Sequence, residues 1–437
     1  MASAFVGGPA FAKVVVSGAG PAGLLAARSI LDHRPDVEVE VFEKRGDPRS
    51  EQISGFRAYS LGLNIRGRSA LQHWPGLWER VAAKGVLSDK FFLHLGGFQL
   101  QLRANREGGV PTLLIGRNDL CAALLEDLQE RHGSRLSLHF GEALKEVDLT
   151  SRRCLTSAGT AVRYDDLLGA DGVNSAVRRA MAAAGFRSDA VDLPGQFKVW
   201  VGPCPSNLDP LAVHAMSSKG LTLFSIPRVD GRLCTILSWN DSPPSFLEDD
   251  DEAIAQHLQQ DFPSFGAPAL ESVAQLRQQR PSKATTVRAN RYHDLEGRAL
   301  LLGDAAHSTG GTLGQGANSA LTDAVVLDKL LQATTPEKSV VQDVGEEFSK
   351  LRQPEGLALW KLLQLPPKGL WALPYTAAQF AAGLLSRAVP MVASQPVQSL
   401  LSETTTPYTE IVSSSKFWLD KALVDAPGAS SGEFESG

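Results

Sequence analysis

The chain has 437 residues, enough for two or three domains with substantial cores. Its composition is that of a globular protein, with 43% hydrophobic and 21% charged residues and a mean hydropathy of -0.09. A net charge of -5 argues against a basic nucleic-acid footprint, and four cysteines without a CxxC pair (Cys121, Cys154, Cys204, Cys234) resemble no zinc site.

Residues 1–12 read as a flexible leader. They have no charged start, since the first positive charge is Lys13. The β-branched run "AKVVVS" predicts a strand, Gly18-Ala19-Gly20-Pro21-Ala22-Gly23 a turn, and "LLAARSIL" a helix. "VEVEVFEK" alternates with period two and predicts a second strand ending at Glu43. Residues 117–132 have helical spacing after Arg117, with Asn118 or Asp119 placed to cap, and "LSLHFG" follows as a strand. "YDDLLGADGVNSAVRRAM" repeats the strand–turn–helix order around Asp171 and Gly172.

Residues 191–285 change character. "QFKVWVG" reads as a strand, and "LTLFSIPRVDGRLCTILSW" as two strands joined at Asp230-Gly231. The acidic run Glu248–Glu252 opens a helix, where carboxylates suit the dipole. The region is expected to be a β-rich substrate domain that also draws on residues 85–115. It interrupts an α/β domain made of residues 13–190 and 286–335. That domain resumes at "RALLLGDAAH", a buried strand, followed by a glycine loop and the helix "NSALTDAVVLDKLL". Residues 336–424 read as a helical C-terminal region and 425–437 as a disordered tail. Within the helical region Leu370–Ala393 is apolar but interrupted by Gln379, Arg387 and Pro390, short of the about 20 apolar residues a bilayer requires. It suits burial or a peripheral membrane contact.

The glycine loop carries the first chemistry. Gly18 permits the tight turn, Gly20 lets backbone approach a pyrophosphate, and Gly23 lets the helix pack on the strand. The helix N-terminus beyond Pro21 and Ala22 offers unpaired N–H groups to phosphate. Glu43, with Lys44 and Arg45 after it, stands at the strand end where a carboxylate accepts ribose hydroxyls. This fingerprint alone does not separate NAD from FAD. The second site does: Asp304 ends a buried strand, and Gly314-Gln315-Gly316-Ala317-Asn318 opens another helix. A dinucleotide dehydrogenase has no use for that distant pair, whereas the ribityl chain and ring of FAD reach it.

The three motifs, GxGxxG, Ala170-Asp171-Gly172 and Gly303-Asp304, stand in the order seen in the class A flavoprotein monooxygenases, and the chain resembles that family over nearly its whole length. The resemblance implies a Rossmann-like FAD-binding domain of the glutathione-reductase type with an inserted β-sheet substrate domain. It implies that Asp304 meets the ribityl chain, that Asp171 and Gly172 serve FAD and NAD(P)H, and that Arg117 contacts FAD. The helix dipole at Gly314–Asn318 would stabilise charge on the reduced flavin. Chemistry would then lie with FAD, reduced by NADPH or NADH and reoxidised by O2 at C4a, and no catalytic side chain is named. His307 is read as holding its loop.

Within the family, the segment Arg57–Arg68, "FSKLRQP" at Phe348–Pro354, the Gly314–Asn318 loop and Thr406-Pro407-Tyr408 are similar to the kynurenine 3-monooxygenase subfamily. Its carboxylate-holding arginine and tyrosine have no counterpart. Phe91 stands at the first place, beside Lys90, and Pro111 near the second. The Asn-Tyr pair is replaced within "GLALWKLLQL", a later tyrosine falls near Gln398, and a proline before the flavin loop is Gly311. Phe224, Trp239, Gly311 and Thr312 are the candidate substrate contacts. The alternatives are a related flavin oxidoreductase that epoxidises, decarboxylates or dehydrogenates, and a flavin-free binding protein of the GDP-dissociation-inhibitor type. Glu43, Arg117, Asp171 and Asp304 argue against the second. A cytoplasmic chain acting on a small molecule is expected, and its oligomeric state is left open.

Overall fold

The computed structural model describes residues 11–50, 59–95, 98–103, 109–182, 185–240, 242–388, 395–423 and 434. At its centre is a five-stranded parallel sheet in the order Ala299–Leu301, Asp166–Gly169, Ala12–Ser17, Val37–Glu43, Leu136–Phe140. Parallel strands are covered on both faces and read as continuous apolar runs. Val14, Val15 and Val16 are accordingly all 0% exposed. The helices Pro21–His33, Arg117–His132 and Gly316–Ala333 share one core with this sheet through Leu24, Leu120, Leu124 and Leu321.

The helix at 117–132 begins differently from expectation. Its N-cap is Gly116, and neither Asn118 nor Asp119 caps it. Arg117 is already helical, and its N–H donates to the Tyr59 carbonyl at 3.0 Å. The first free donor is satisfied by a distant chain segment, which periodicity could not reveal.

A second, six-stranded sheet has the order Gln196–Pro203, Arg232–Trp239, Leu221–Pro227, Val213–Ser218, Phe91–Leu95, Phe98–Arg103. Helices Asp251–Asp261 and Leu270–Gln278 cover one face, burying Trp200, Leu223, Leu237 and Trp239 against Ile254, Leu258 and Val273. Asp250 caps the first of these helices through the Ala253 N–H at 2.8 Å, so the acidic run does act at a helix start. The other face turns to the parallel-sheet domain. Phe224, Ile226 and Val213 pack there against Leu114, and the Ser60 N–H donates to Cys234 Sγ at 3.3 Å.

The long helix Val340–Leu362 is fastened to the central sheet by one carboxylate. Asp166, 1% exposed on its strand, accepts from the N–H groups of Val340 (2.8 Å) and Val341 (3.0 Å). Of the tail expected to be disordered, Phe434 alone is described. It is buried, with its carbonyl accepting from Gln353 at 3.0 Å and its ring under Arg288. Of the leader 1–12 only Phe11 and Ala12 are described, and Ala12 already belongs to the first strand. Replacing Asp166 by Ala strips two buried N–H groups of their acceptor at once. The expected loss is about 2–3 kcal/mol of unfolding free energy in urea titration, with no change in far-UV circular dichroism.

Candidate active site

The glycine loop is built as its spacing demands. Gly18 sits at φ +104°, and its N–H donates to the Phe42 carbonyl at 2.7 Å. A Cβ at Gly18 would strike the Ala170 carbonyl, and one at Gly23 the Gly18 carbonyl. Those two glycines thus let strand, loop and helix close on one another. Gly20 differs: a Cβ there would lie 3.2 Å from Nη2 of Arg117. The space before Gly20 therefore faces a guanidinium, and that guanidinium has no hydrogen-bond partner among the described residues. Burial lowers the pKa of Arg45, and the nearby Arg117 charge lowers it further. Two cations near a glycine loop and a helix N-terminus form a site for an anion.

Glu43, 8% exposed, ties the glycine loop to the end of its own strand. Oε2 accepts from the Ala19 N–H at 3.0 Å and Oε1 from the Arg45 N–H at 2.9 Å. A carboxylate has about four acceptor positions, so capacity remains for a hydroxyl. Asp171 accepts the Ala176 N–H at 2.7 Å through Oδ2, while its Oδ1 is buried without a hydrogen-bond partner among the described residues. Gly172 beside it turns at φ +77°.

Beyond the loop a cleft runs into the molecule. Tyr59 is 38% exposed and the Asp304 side chain is also open, yet burial among protein atoms raises the pKa of both. Exposure at depth marks the wall of a cleft. The charge of Arg117 partly offsets the shift of each group, so all three share one region. Gly316 lies opposite: a Cβ on it would be 3.7 Å from both Asp304 Oδ1 and Thr309 Oγ1. Thr309 Oγ1 is buried and has no hydrogen-bond partner among the described residues. The helix Gly316–Ala333 begins here, and its first-turn N–H groups lack intrahelical acceptors.

Some expected contacts serve the scaffold instead. Asn318 is 0% exposed and fully engaged: Oδ1 accepts from Asn64 and Gly67 N–H, both at 3.1 Å, and Nδ2 donates to Gly62 (3.1 Å) and Gly314 (3.0 Å). Gln315 Oε1 accepts from Asn64 Nδ2 and the Tyr408 hydroxyl. Both side chains shape the loop, and of its residues Gly316 lies beside Asp304 and Thr309. Gly311 and Thr312 are exposed on the same loop. Phe224 lies on the sheet face toward the cleft, but Trp239 does not. It belongs to the core beneath the covering helices, because residues 224 and 239 alternate to opposite sides of the pleat. Arg57 lies outside the described residues, and Lys44 follows Glu43 with a partner of its own.

Under the cleft lies a charged cluster that motif reading missed. Asp323, 0% exposed, accepts from the Gly303 N–H (2.8 Å), His307 Nε2 (2.7 Å) and Arg352 Nε (2.7 Å). Arg352 also donates to Ser319 Oγ at 3.0 Å. Its signal was present: Asp323 shares a helix face with Ser319, Ala320 and Leu327, and an acid on an apolar stripe requires a buried partner.

The comparisons with known proteins agree with this geometry. A family model described as FAD binding domain matches residues 12–342. The kynurenine 3-monooxygenase of Salinispora arenicola (strain CNS-205) is 31% identical over 420 residues, covering 91% of this chain and 89% of the relative. That of Xanthomonas oryzae pv. oryzae (strain MAFF 311018) is 34% identical over 341 residues, 74% of this chain and 72% of the relative. The chain belongs to the class A flavoprotein monooxygenases. It is an FAD-dependent enzyme that uses NADPH or NADH and O2. Solved structures share the fold at low identity. The tetrameric form of 2-methyl-3-hydroxypyridine-5-carboxylic acid oxygenase has a TM-score of 0.63 at 21% identity, covering 88% of this chain and 99% of that one. CtdE in complex with FAD has 0.64 at 15%, covering 95% and 100%.

The buried cluster makes this monooxygenase sensitive to acid. Burial works against the Asp323 charge, but His307 and Arg352 outweigh it and hold the carboxyl at about 2. The folded value lies below the unfolded one, so the contribution is full above pH about 4 and is lost as pH falls through about 2. Asp323→Asn leaves Arg352 buried beside a neutral partner. It should lower stability by about 3–5 kcal/mol in denaturant titration at pH 7, with much of that difference gone near pH 2.

Proposed function

We propose that this monooxygenase hydroxylates a small electron-rich aromatic compound held between the Asp304 cleft and the six-stranded sheet. An aromatic C–H becomes C–OH with one atom of O2. The other atom leaves as water, with two electrons from NADPH or NADH. When bound, FAD supplies that redox chemistry. The single observation that carries the reading is the cleft itself: Arg117, Asp304 and Thr309 Oγ1 hold unused polar capacity between two helix N-termini.

The residues fit the cofactor in order. Gly18, Gly20 and Gly23, with Pro21 and Ala22 opening the helix, would receive the pyrophosphate, and Arg45 and Arg117 would neutralise it. Glu43 would take a ribose hydroxyl with its remaining lone pairs. Asp304 would accept from the ribityl chain, while Asp171 and Gly172 stand where the strand meets the loop. The N-terminus at Gly314–Ala317 would stabilise negative charge at the ring. The six-stranded sheet would roof the site and exclude water.

A peripheral membrane contact is a further part of this proposal, and with it a cytoplasmic, membrane-associated location. Leu370 is 94% exposed, Leu373 82% and Phe380 70%, on or beside the helix Ala372–Ala388. No helix among the described residues is long and apolar enough to cross a membrane. Exposed apolar residues on one amphipathic element support interfacial binding.

Two measurements test these statements. Turnover of aromatic acids and phenols under 18O2 should give one labelled oxygen per product; coupled turnover without label would point instead to dehydrogenation. The double substitution Leu373→Asp, Phe380→Asp should lower co-sedimentation with lipid vesicles at least tenfold. Equal binding of both proteins refutes the membrane contact.

A further inference from the structure

One row of residues crosses all six strands of the roof in register. Val199 pairs with Ile236, Ile236 with Phe224, Phe224 with Ala215, Ala215 with Leu93, and Leu93 with Leu100. Residues opposite one another in a ladder share a face. Here it is the face turned away from Trp239 and the covering helices, the one that meets the FAD-binding domain.

The sheet is seated on that domain on two sides. Cys234 receives the Ser60 N–H, and Val213 and Ile226 pack on Leu114. At the other end Leu193 and Ala284, joined by a backbone hydrogen bond of 2.7 Å, press against Gly310 of the cleft loop. Between these seats the row is covered only in part, with Phe224 leaning on the Leu114 seat. Val199 is 7% exposed, Ile236, Phe224, Ala215 and Leu93 are half-buried, and Leu100 is 53% exposed. Exposure rises from the interior to the free edge, where Leu95 and Phe98 continue the apolar surface. With strands about 4.8 Å apart, the row is about 24 Å long, several times the width of one aromatic ring.

None of the six side chains is charged or polar. A zwitterionic amino acid lying along them would lose hydration without gaining a partner, whereas hydrocarbon would gain from burial. Resting on the function proposed above, we infer that the substrate is an extended, largely apolar aromatic compound. Its reacting ring lies at the Val199–Ile236 end, and a long alkyl or fused-ring extension runs along Phe224, Ala215 and Leu93 to Leu100.

The test uses the FAD-loaded full chain and a series of 4-alkylphenols from ethyl to pentadecyl, with kynurenine as the zwitterionic comparison. Dissociation constants are read from the change in flavin absorbance. The constant should fall about fourfold for each added methylene until the row is filled. Kynurenine should bind more weakly than the longest phenol. Leu100→Asp at the open edge should abolish the gain from the last carbons, and Ala215→Trp should stop the gain at a shorter chain. Far-UV circular dichroism verifies that each variant folds. A constant independent of chain length, or kynurenine binding tighter than every phenol, overturns the inference. Failure of the monooxygenase reading shows differently, as unlabelled product under 18O2 at every chain length.

Discussion

The Asp323 carboxylate is the constraint on which the cleft depends. One buried charge fixes three parts of the chain: the backbone at Gly303, the ring of His307, and Arg352 on the long C-terminal helix. Gly303 immediately precedes Asp304, so the acid that faces the cleft is aimed by the acid that lies beneath it. Asp323 is on the helix that starts at Gly316, and its hold on Gly303 ties the start of the loop to that helix. A buried ion pair contributes little net stability compared with apolar packing. Its value here is positional, because a neutral replacement of either partner leaves the other charge unpaired and the loop without its reference point.

Around that anchor, glycine backbone and a few fixed charged side chains line the cleft. Gly18, Gly20 and Gly23 remove every Cβ that would separate strand, helix and Arg117. At the second helix, Asn318 and Gln315 turn their amides inward to Asn64, Gly62, Gly67 and Tyr408, which holds the loop open. Helix N-termini and a few fixed charges then define the electrostatics in advance. Such preorganisation costs no rearrangement when negative charge develops nearby.

The roof follows a different logic. Four of its strands, Gln196–Pro203, Val213–Ser218, Leu221–Pro227 and Arg232–Trp239, send one set of residues into a private core with the helices and the alternate set to the opposite face. Trp200, Leu223, Leu237 and Trp239 pack beneath the covering helices, while Phe224 and its neighbours in register lie on the face that meets the FAD-binding domain. The two faces of the same strands thereby have separate packing partners.

Much of this was legible in the residues. The β-branched run before Gly18, the glycine spacing, the period-two run that ends at Glu43, and Asp304 before a second glycine loop are local patterns, and local sterics and hydrogen bonding decide them. Those patterns determined the FAD-binding fold, the order of its motifs and the class of chemistry. Only the tertiary structure decided which face Trp239 takes, that Tyr59 rather than a side-chain cap serves Arg117, and that Asn318 belongs to the scaffold. It alone brought Asp323, His307 and Arg352 together, and aligned Val199, Ile236, Phe224, Ala215, Leu93 and Leu100 from strands up to 143 residues apart. Register and long-range ion pairing depend on where distant segments meet, and no local period encodes that.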